Sequence, residues 1–410
     1  MRTRRVRILT LATVGLLVLT ACGSSSKKST AAATGGSTSA SGPDASHPIV
    51  IGLDCDTSGP GASYATPSCK ATKDTIDLIN SKGGVLGRKL TYVEGNDESD
   101  PTKTPTVIQK LVSQGAQALF LITSSAGALQ AKSLIQRTGI PVIMSVASNP
   151  LVTQAPDNDF LYELAETTAN WAEELCGAFQ KKNIKTLGFL QDDSASEVAF
   201  NKGFLSALTC VKADVQTAPI AATDLSAAVA RLKADKNDAV MVGTSSINFE
   251  VLAQNTLHQQ MDSVPRFTEA TLGGVPAAWK QAQSGALNGL VGFSGITDKN
   301  TNTTAAKEYF ASKEGSDFVM TQFWAQAYDG VQLLSQAITK AGKTDGKAVN
   351  DALQTLSGYK ASFGYPGFTL SFSPTKHLGA DGLCGEVLVQ WGADNQLSGP
   401  WADYQPNCSN

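Results

Sequence analysis

The sequence predicts an α/β protein of two lobes, each a doubly wound parallel sheet, meeting at a central ligand cleft. Three observations carry this reading. Short β-branched runs alternate with helical patterns along the chain, as they do where crossover helices join parallel strands. The body, from about residue 47 to residue 410, is too long for one ordinary core. Glycines such as Gly83-Gly84 close the helical patterns where a left-handed backbone is needed.

Residues 49–53 open the first series as a strand, and a helical pattern runs from the following Gly/Pro turn through Ile76 and Ile79. Strands at 90–93, 118–122 and 142–144 follow, with helices carrying 107–112 and 126–137 between them. A second series starts near Thr167 with a helix to Lys182. Strands at 186–190, 215–218 and 239–242 then alternate with helices at 197–208, 225–233 and 249–257. Strands near Phe267 and at 290–293 complete it. In such lobes ligands bind at the carboxyl ends of the strands.

Ahead of the body, Arg2, Arg4, Arg5 and Arg7 precede an apolar run at 8–19 that ends in Leu19-Thr20-Ala21-Cys22-Gly23. A helix of that length spans only ~18 Å, too short for a ~30 Å hydrocarbon core but suited to a signal peptide, here residues 1–21. Small residues before Cys22 fit a signal peptidase groove, and its thiol can take a thioether-linked lipid. The segment resembles the lipobox of bacterial lipoproteins; the alternative is an ordinary secretory signal that contains a cysteine. Residues 23–46 are almost entirely Ser, Ala, Thr, Gly and Lys, too polar to offset their ordering entropy. Residues 22–47 are therefore expected to be a lipidated cysteine and flexible tether spanning roughly 25–30 Å. The protein is expected outside the cytoplasm, lipid-anchored to the bacterial cell membrane.

Removing the four arginines takes the formal charge from −3 to −7, and the mildly acidic body has no basic stripe for nucleic acid. Six further cysteines fall as sequence-local pairs, giving expected disulfides Cys55–Cys69, Cys176–Cys210 and Cys384–Cys408 among 15 possible connectivities. No metal or other cofactor is expected: there is no Cys-x-x-Cys, and His47, His258 and His377 are scattered. Asn96-Asp97-Glu98-Ser99-Asp100 lacks the glycine and distal glutamate of a calcium loop and reads as a solvated turn. The chain has no P-loop and no Gly-x-Ser-x-Gly elbow.

The stretch IGLDCDTSGPGASYATPSCKATKDTIDLINSKGGVLGRKL resembles the opening of the leucine/isoleucine/valine-binding family of periplasmic solute receptors, which feed ABC importers. Shared elements are Ser58-Gly59-Pro60, Tyr64, the Ile79-Asn80 helix end with Gly83-Gly84, and Gly87. The similarity continues through LITSSAGALQAKSLIQRTGIPVIMSVASNPLVT, at Ala327-Tyr328-Asp329-Gly330, and at GEVLVQW. It implies a periplasmic binding protein of the Venus-flytrap type, crossed three times by the chain. Residues 48–165 with 298–383 would form the first lobe, and 166–297 with 384–410 the second.

The resemblance also assigns ligand contacts. Ser125 matches a serine that binds the ligand carboxylate, Val146 a position whose carbonyl takes the ammonium, Ser148 a hydroxyl that meets both, and Tyr64 an aromatic beside the ligand side chain. The chemistry agrees, because hydroxyls and free N–H groups at strand ends and helix starts suit a carboxylate. Helix capping is the competing role for Ser125. In the second lobe, Glu269 or Thr271 falls near the family's acid, and the Gln191-Asp192-Asp193 and Thr244-Ser245-Ser246 loops face the cleft by strand order. Asp192 is a further candidate for the ammonium partner, and Trp324 belongs either to the pocket or to the core. With Thr271 at the acid position, amides, ureas and aromatic acids compete with amino acids as ligands.

These residues point to a monomeric, non-enzymatic substrate-binding lipoprotein that delivers a branched-chain or other amino acid to ABC permease subunits. A receptor signalling to a membrane kinase or chemoreceptor is the first alternative. A secreted enzyme on the same scaffold is the second, and it lacks a base partnered to the hydroxyl loops.

Overall fold

The computed structural model describes residues 47–407, so the expected signal peptide, Cys22, almost all of the tether and Cys408 lie outside the described residues. The first sheet is built around β1 (Ile49–Cys55), whose near-continuous apolar run suits a strand covered on both faces. It pairs in parallel with β2 (Leu90–Gly95) and β3 (Ala118–Ile122). β4 (Val142–Met144) and β5 (Leu161–Glu163) extend the sheet, again in parallel, giving the order β2-β1-β3-β4-β5. Helices α1 (Ala62–Ser81), α2 (Thr104–Ser113) and α3 (Ser125–Thr138) make the crossovers. Asn80 fixes the end of α1 on β2: its amide donates to the Leu90 carbonyl and its oxygen accepts the Leu90 N–H, both at 2.8 Å. Gly83 and Gly84 then turn the chain with φ of +104° and +78°, and a Cβ on Gly84 would strike the Arg88 carbonyl.

After β5 the chain enters a second sheet through α4 (Thr168–Lys182), β6 (Thr186–Asp192), α5 (Ala195–Ala207) and β7 (Lys212–Ala218). It continues with α6 (Ser226–Ala234), β8 (Ala239–Gly243), α7 (Ile247–Met261) and β9 (Arg266–Thr268). Two short helices, α8 (Ala270–Gly273) and α9 (Pro276–Trp279), lead to β10 (Val291–Ser294). The chain then returns to the first sheet as α10 (Thr303–Glu314), α11 (Gln322–Ala341), α12 (Gly346–Leu353) and the antiparallel pair β11 (Tyr359–Lys360) and β12 (Thr369–Leu370). α11 packs on α1 and α12. Gly330 lets it lie on the sheet, since a Cβ there would meet Phe120, Leu164 and Ile143 at 2.9–3.4 Å.

The second sheet, ordered β14-β13-β10-β9-β8-β6-β7, is parallel except at one edge, where β13 (Val387–Trp391) and β14 (Leu397–Pro400) run antiparallel. This edge departs from the all-parallel expectation for a reason set by the crossings. β10 leaves for the first lobe at Ser294, and the returning β13 begins beside that exit, with Val387 opposite Ser294, so it must run the other way. The first and third crossing segments are tied to each other, and the second to α11. Glu166 accepts the Gly385 N–H at 2.6 Å, and Gln322 accepts the Gly295 N–H at 2.7 Å.

Cys55–Cys69 and Cys176–Cys210 are bonded, with Cα atoms 5.8 and 5.5 Å apart. Cys384 is disulfide-bonded too, while its expected partner Cys408 lies outside the described residues. Cys176–Cys210 closes the longer loop, with a separation of 34 residues, and joins α4 to the segment before β7. Replacing both cysteines with serine should lower unfolding free energy by about 3–4 kcal/mol, read from urea unfolding curves with m fitted separately for each form. An unchanged unfolding free energy would show that the cross-link does not constrain the unfolded chain.

Candidate functional site

The strand ends of both sheets converge on one cavity of about 200 Å³. Tyr64, Ser125, Val146, Ser148, Glu269 and Thr271 all line it, so the structure brings together six of the seven residues expected from the sequence. Asp192 is the exception. It is fully buried beneath the cavity, where its carboxylate accepts the Thr244 hydroxyl at 2.5 Å and the Ser194 N–H at 2.8 Å. Its strand-end position was right, but its side chain turns back to hold the two loops that follow β6 and β8. Trp324 belongs to the core, with Phe310 and Phe318 at ring-centroid distances of 4.9 and 5.0 Å.

The first-lobe wall is built by hydroxyls. Ser124, not Ser125, caps α3 by accepting the Gly127 N–H at 3.3 Å. Ser125 instead accepts the N–H groups of Ser148 and Asn149 at 3.1 and 3.2 Å, fixing the loop after β4. With its acceptor side so engaged, the Ser125 hydroxyl keeps its own proton to donate. Tyr64 packs on Phe323, centroids 6.0 Å apart. The loop after β2 is not the solvated turn expected. Asp97 is fully buried and accepts the Thr104 and Thr123 hydroxyls, both at 2.7 Å, while Ser99 donates to Asp56 at 2.6 Å and reaches the cavity.

The second-lobe wall carries what sequence reasoning missed. Ser196, Glu197, Ala199 and Phe200 present one face of the first turns of α5 to the cavity, and Trp171 stands beside them, stacked on Phe293 at 5.3 Å. Glu197 accepts the Ser245 N–H at 3.0 Å through one oxygen, and its other oxygen has no partner. Glu269 likewise leaves one buried oxygen without a partner. Burial, then neighbouring Asp192, pushes the Glu197 carboxyl up to about 7. Burial also raises Glu269 well above the usual carboxylate range, with Glu197, Glu250 and Asp192 adding to it. The walls touch: Ser63 on α1 donates to the Ser245 carbonyl at 3.2 Å.

Two α/β sheets facing one hydroxyl-, acid- and aromatic-lined cavity define a two-lobe solute receptor. The chain belongs to the periplasmic binding protein family, whose model it matches over residues 48–387, and is a non-enzymatic solute-binding protein of the Leu/Ile/Val-binding type. It is 24% identical over 323 residues to the Leu/Ile/Val-binding protein BraC3 of Rhizobium johnstonii, covering 75% of this chain and 83% of that one. It is 34% identical to the leucine-specific-binding protein of Salmonella typhimurium over 97 residues, 24% of this chain and 26% of that one.

Among solved structures it shares its fold with a branched-chain amino acid transporter substrate-binding protein of Streptococcus pneumoniae in complex with isoleucine. The TM-score is 0.73 at 21% identity, over 86% of this chain and 98% of that one. A Thermus thermophilus branched-chain amino acid ABC transporter protein with bound valine gives a TM-score of 0.73 at 16% identity, over 87% and 96%. The family works outside the cytoplasm, and among the described residues no helix is long and apolar enough to cross a membrane.

Proposed function

We propose that this protein is the lipid-anchored substrate-binding component of an ABC importer, capturing a branched-chain or other amino acid by lobe closure. The observation that carries this reading is the opposition of two walls across one cavity. Ser125, Ser148 and nearby loop N–H groups offer donors for a carboxylate, and the unpartnered Glu269 oxygen opposite offers an acceptor for an ammonium. The Val146 carbonyl and Ser148 hydroxyl complete the ammonium site, Tyr64 packs against the ligand side chain, and Thr271 lines the rim. Residues 48–165 with 298–383, and 166–297 with 384–410, move as two bodies, and ligand shifts them towards the closed form. A lipid on Cys22 holds the monomeric receptor near its permease at high effective concentration.

A thermal-shift screen of the purified protein against a panel of amino acids tests the reading. A ligand at about 100 times its dissociation constant should add about 2.7 kcal/mol of stability. Ser125→Ala and Ser148→Ala should each cost about 1–3 kcal/mol of binding by calorimetry with the fold intact. Unchanged affinity in both variants would remove these serines from the site.

A further inference from the structure

We propose that the cavity selects a ligand of net positive charge, carrying at least one more ammonium-type group than carboxylates, over a neutral branched-chain amino acid. The proposal rests on the reading of the cleft as the ligand site and concerns only the charge of what enters it.

The second-lobe wall presents two acids from separate elements, Glu197 in the first turn of α5 and Glu269 after β9. Each is 5% exposed, and each has a buried oxygen with no partner. No Lys, Arg or His lines the cavity among the described residues. The acids behind this wall bring no cation either. Asp192 is bonded to Thr244 and Ser194, and Glu250 to Gln254 and Thr268. Across the cleft Asp56 is bonded to Ser99. None of these five carboxyls forms an ion pair among the described residues, although burial strongly favours pairing an ionised group.

A zwitterion brings one ammonium. Placed on Glu269, it satisfies that oxygen and leaves the Glu197 oxygen unpartnered in a closed, water-poor site. A second cationic group satisfies both. The remaining walls accommodate it, because Tyr64, Trp171, Phe200 and Phe323 supply aromatic faces of the kind that attract ammonium and guanidinium groups. The ligand's carboxylate, where it has one, meets only neutral donors on the first lobe, so the field of the whole cavity stays negative.

Calorimetry on the purified full chain decides it. L-lysine, L-arginine, cadaverine and choline would be titrated against L-norleucine, L-leucine and L-glutamate. Lysine and norleucine share a skeleton and differ in the side-chain ammonium, while cadaverine and choline report whether a carboxylate is required. At least one cationic probe should bind about tenfold or more tighter than every neutral or acidic one. Glu197→Gln, which keeps an acceptor for the Ser245 N–H, should weaken that probe about tenfold or more, and by a larger factor than it weakens norleucine. Leucine or norleucine binding as tightly as every cationic probe, or Glu197→Gln leaving the cationic probe unaffected, would overturn the charge preference and leave the amino acid receptor standing. Binding of none of the seven would overturn both readings.

Discussion

Lowering the pH from 8 to 5 should raise the melting temperature of the ligand-free protein by several degrees. The cause is a set of carboxyls buried without cations. Glu166, Glu174 and Glu386 meet where the chain crosses between lobes, and both Glu174 oxygens, one Glu166 oxygen and one Glu386 oxygen have no hydrogen-bond partner. Burial pushes Glu166 up to about 8, and burial followed by its acidic neighbours raises Glu174 and Glu386 well above the carboxylate range. Burial also lifts Glu163 and Asp54 to about 8 and Glu250 to about 7.

The sign follows from proton counting. Between the unfolded value near 4.5 and the folded value near 8, a group such as Glu166 holds a proton in the native state that the unfolded chain has lost. Unfolding therefore releases protons, and stability falls as pH rises through that window. Glu174→Gln removes one such titration while keeping the shape of the side chain. The variant should equal the parent near pH 5 and exceed it near pH 8 in calorimetric melting temperature. A melting temperature that is flat or climbs from pH 5 to pH 8 would mean these carboxyls are not held protonated by the fold.

Much of this architecture was legible because it is local. Strand–helix alternation, the Asn80 and Gly83-Gly84 helix end and the disulfides Cys55–Cys69 and Cys176–Cys210 all rest on short-range patterns. Ser125 and Ser148 came from the family resemblance, with the chemistry of strand ends and helix starts agreeing, although the bond from the Ser148 N–H to the Ser125 hydroxyl could not be read. What escaped depends on partners far along the chain. Asp192 is turned from the cavity by Thr244, 52 residues away, and Asp97 is buried by Thr123, 26 residues away. Glu197 sits in the first turn of α5, where an acid reads as a partner of the helix dipole. The signal available was the spacing of Ser196, Glu197, Ala199 and Phe200, which is that of one helix face. Trp324 had the opposite problem, a large aromatic near the cleft whose core partners Phe310 and Phe318 lie on other segments.

Ligand affinity should move the other way, strengthening as pH rises from about 5.5 to 7.5. In the free protein the Glu197 carboxyl titrates at about 7, raised by burial and then by Asp192, and burial, then Glu197, Glu250 and Asp192, raises Glu269 well above the usual carboxylate range. Tyr64, facing them from the first lobe, is itself pushed up by burial, with Asp56, Glu197 and Asp97 adding to it, and stays neutral throughout. A bound ammonium favours ionised carboxyls and lowers their pKa, so below about 7 the ligand must displace a proton to bind. Each displaced proton weakens binding about tenfold per pH unit of acidification. Calorimetric titrations in two buffers of different ionisation enthalpy should report this release directly. The slope of log affinity against pH should approach the number of protons expelled, and Glu197→Gln should reduce it by up to one. Because acidification stabilises the empty receptor while weakening its ligand, the ligand-induced rise in melting temperature should be larger at pH 7.5 than at pH 5.5. Affinity independent of pH across this range would mean that neither acid meets a cation in the bound state.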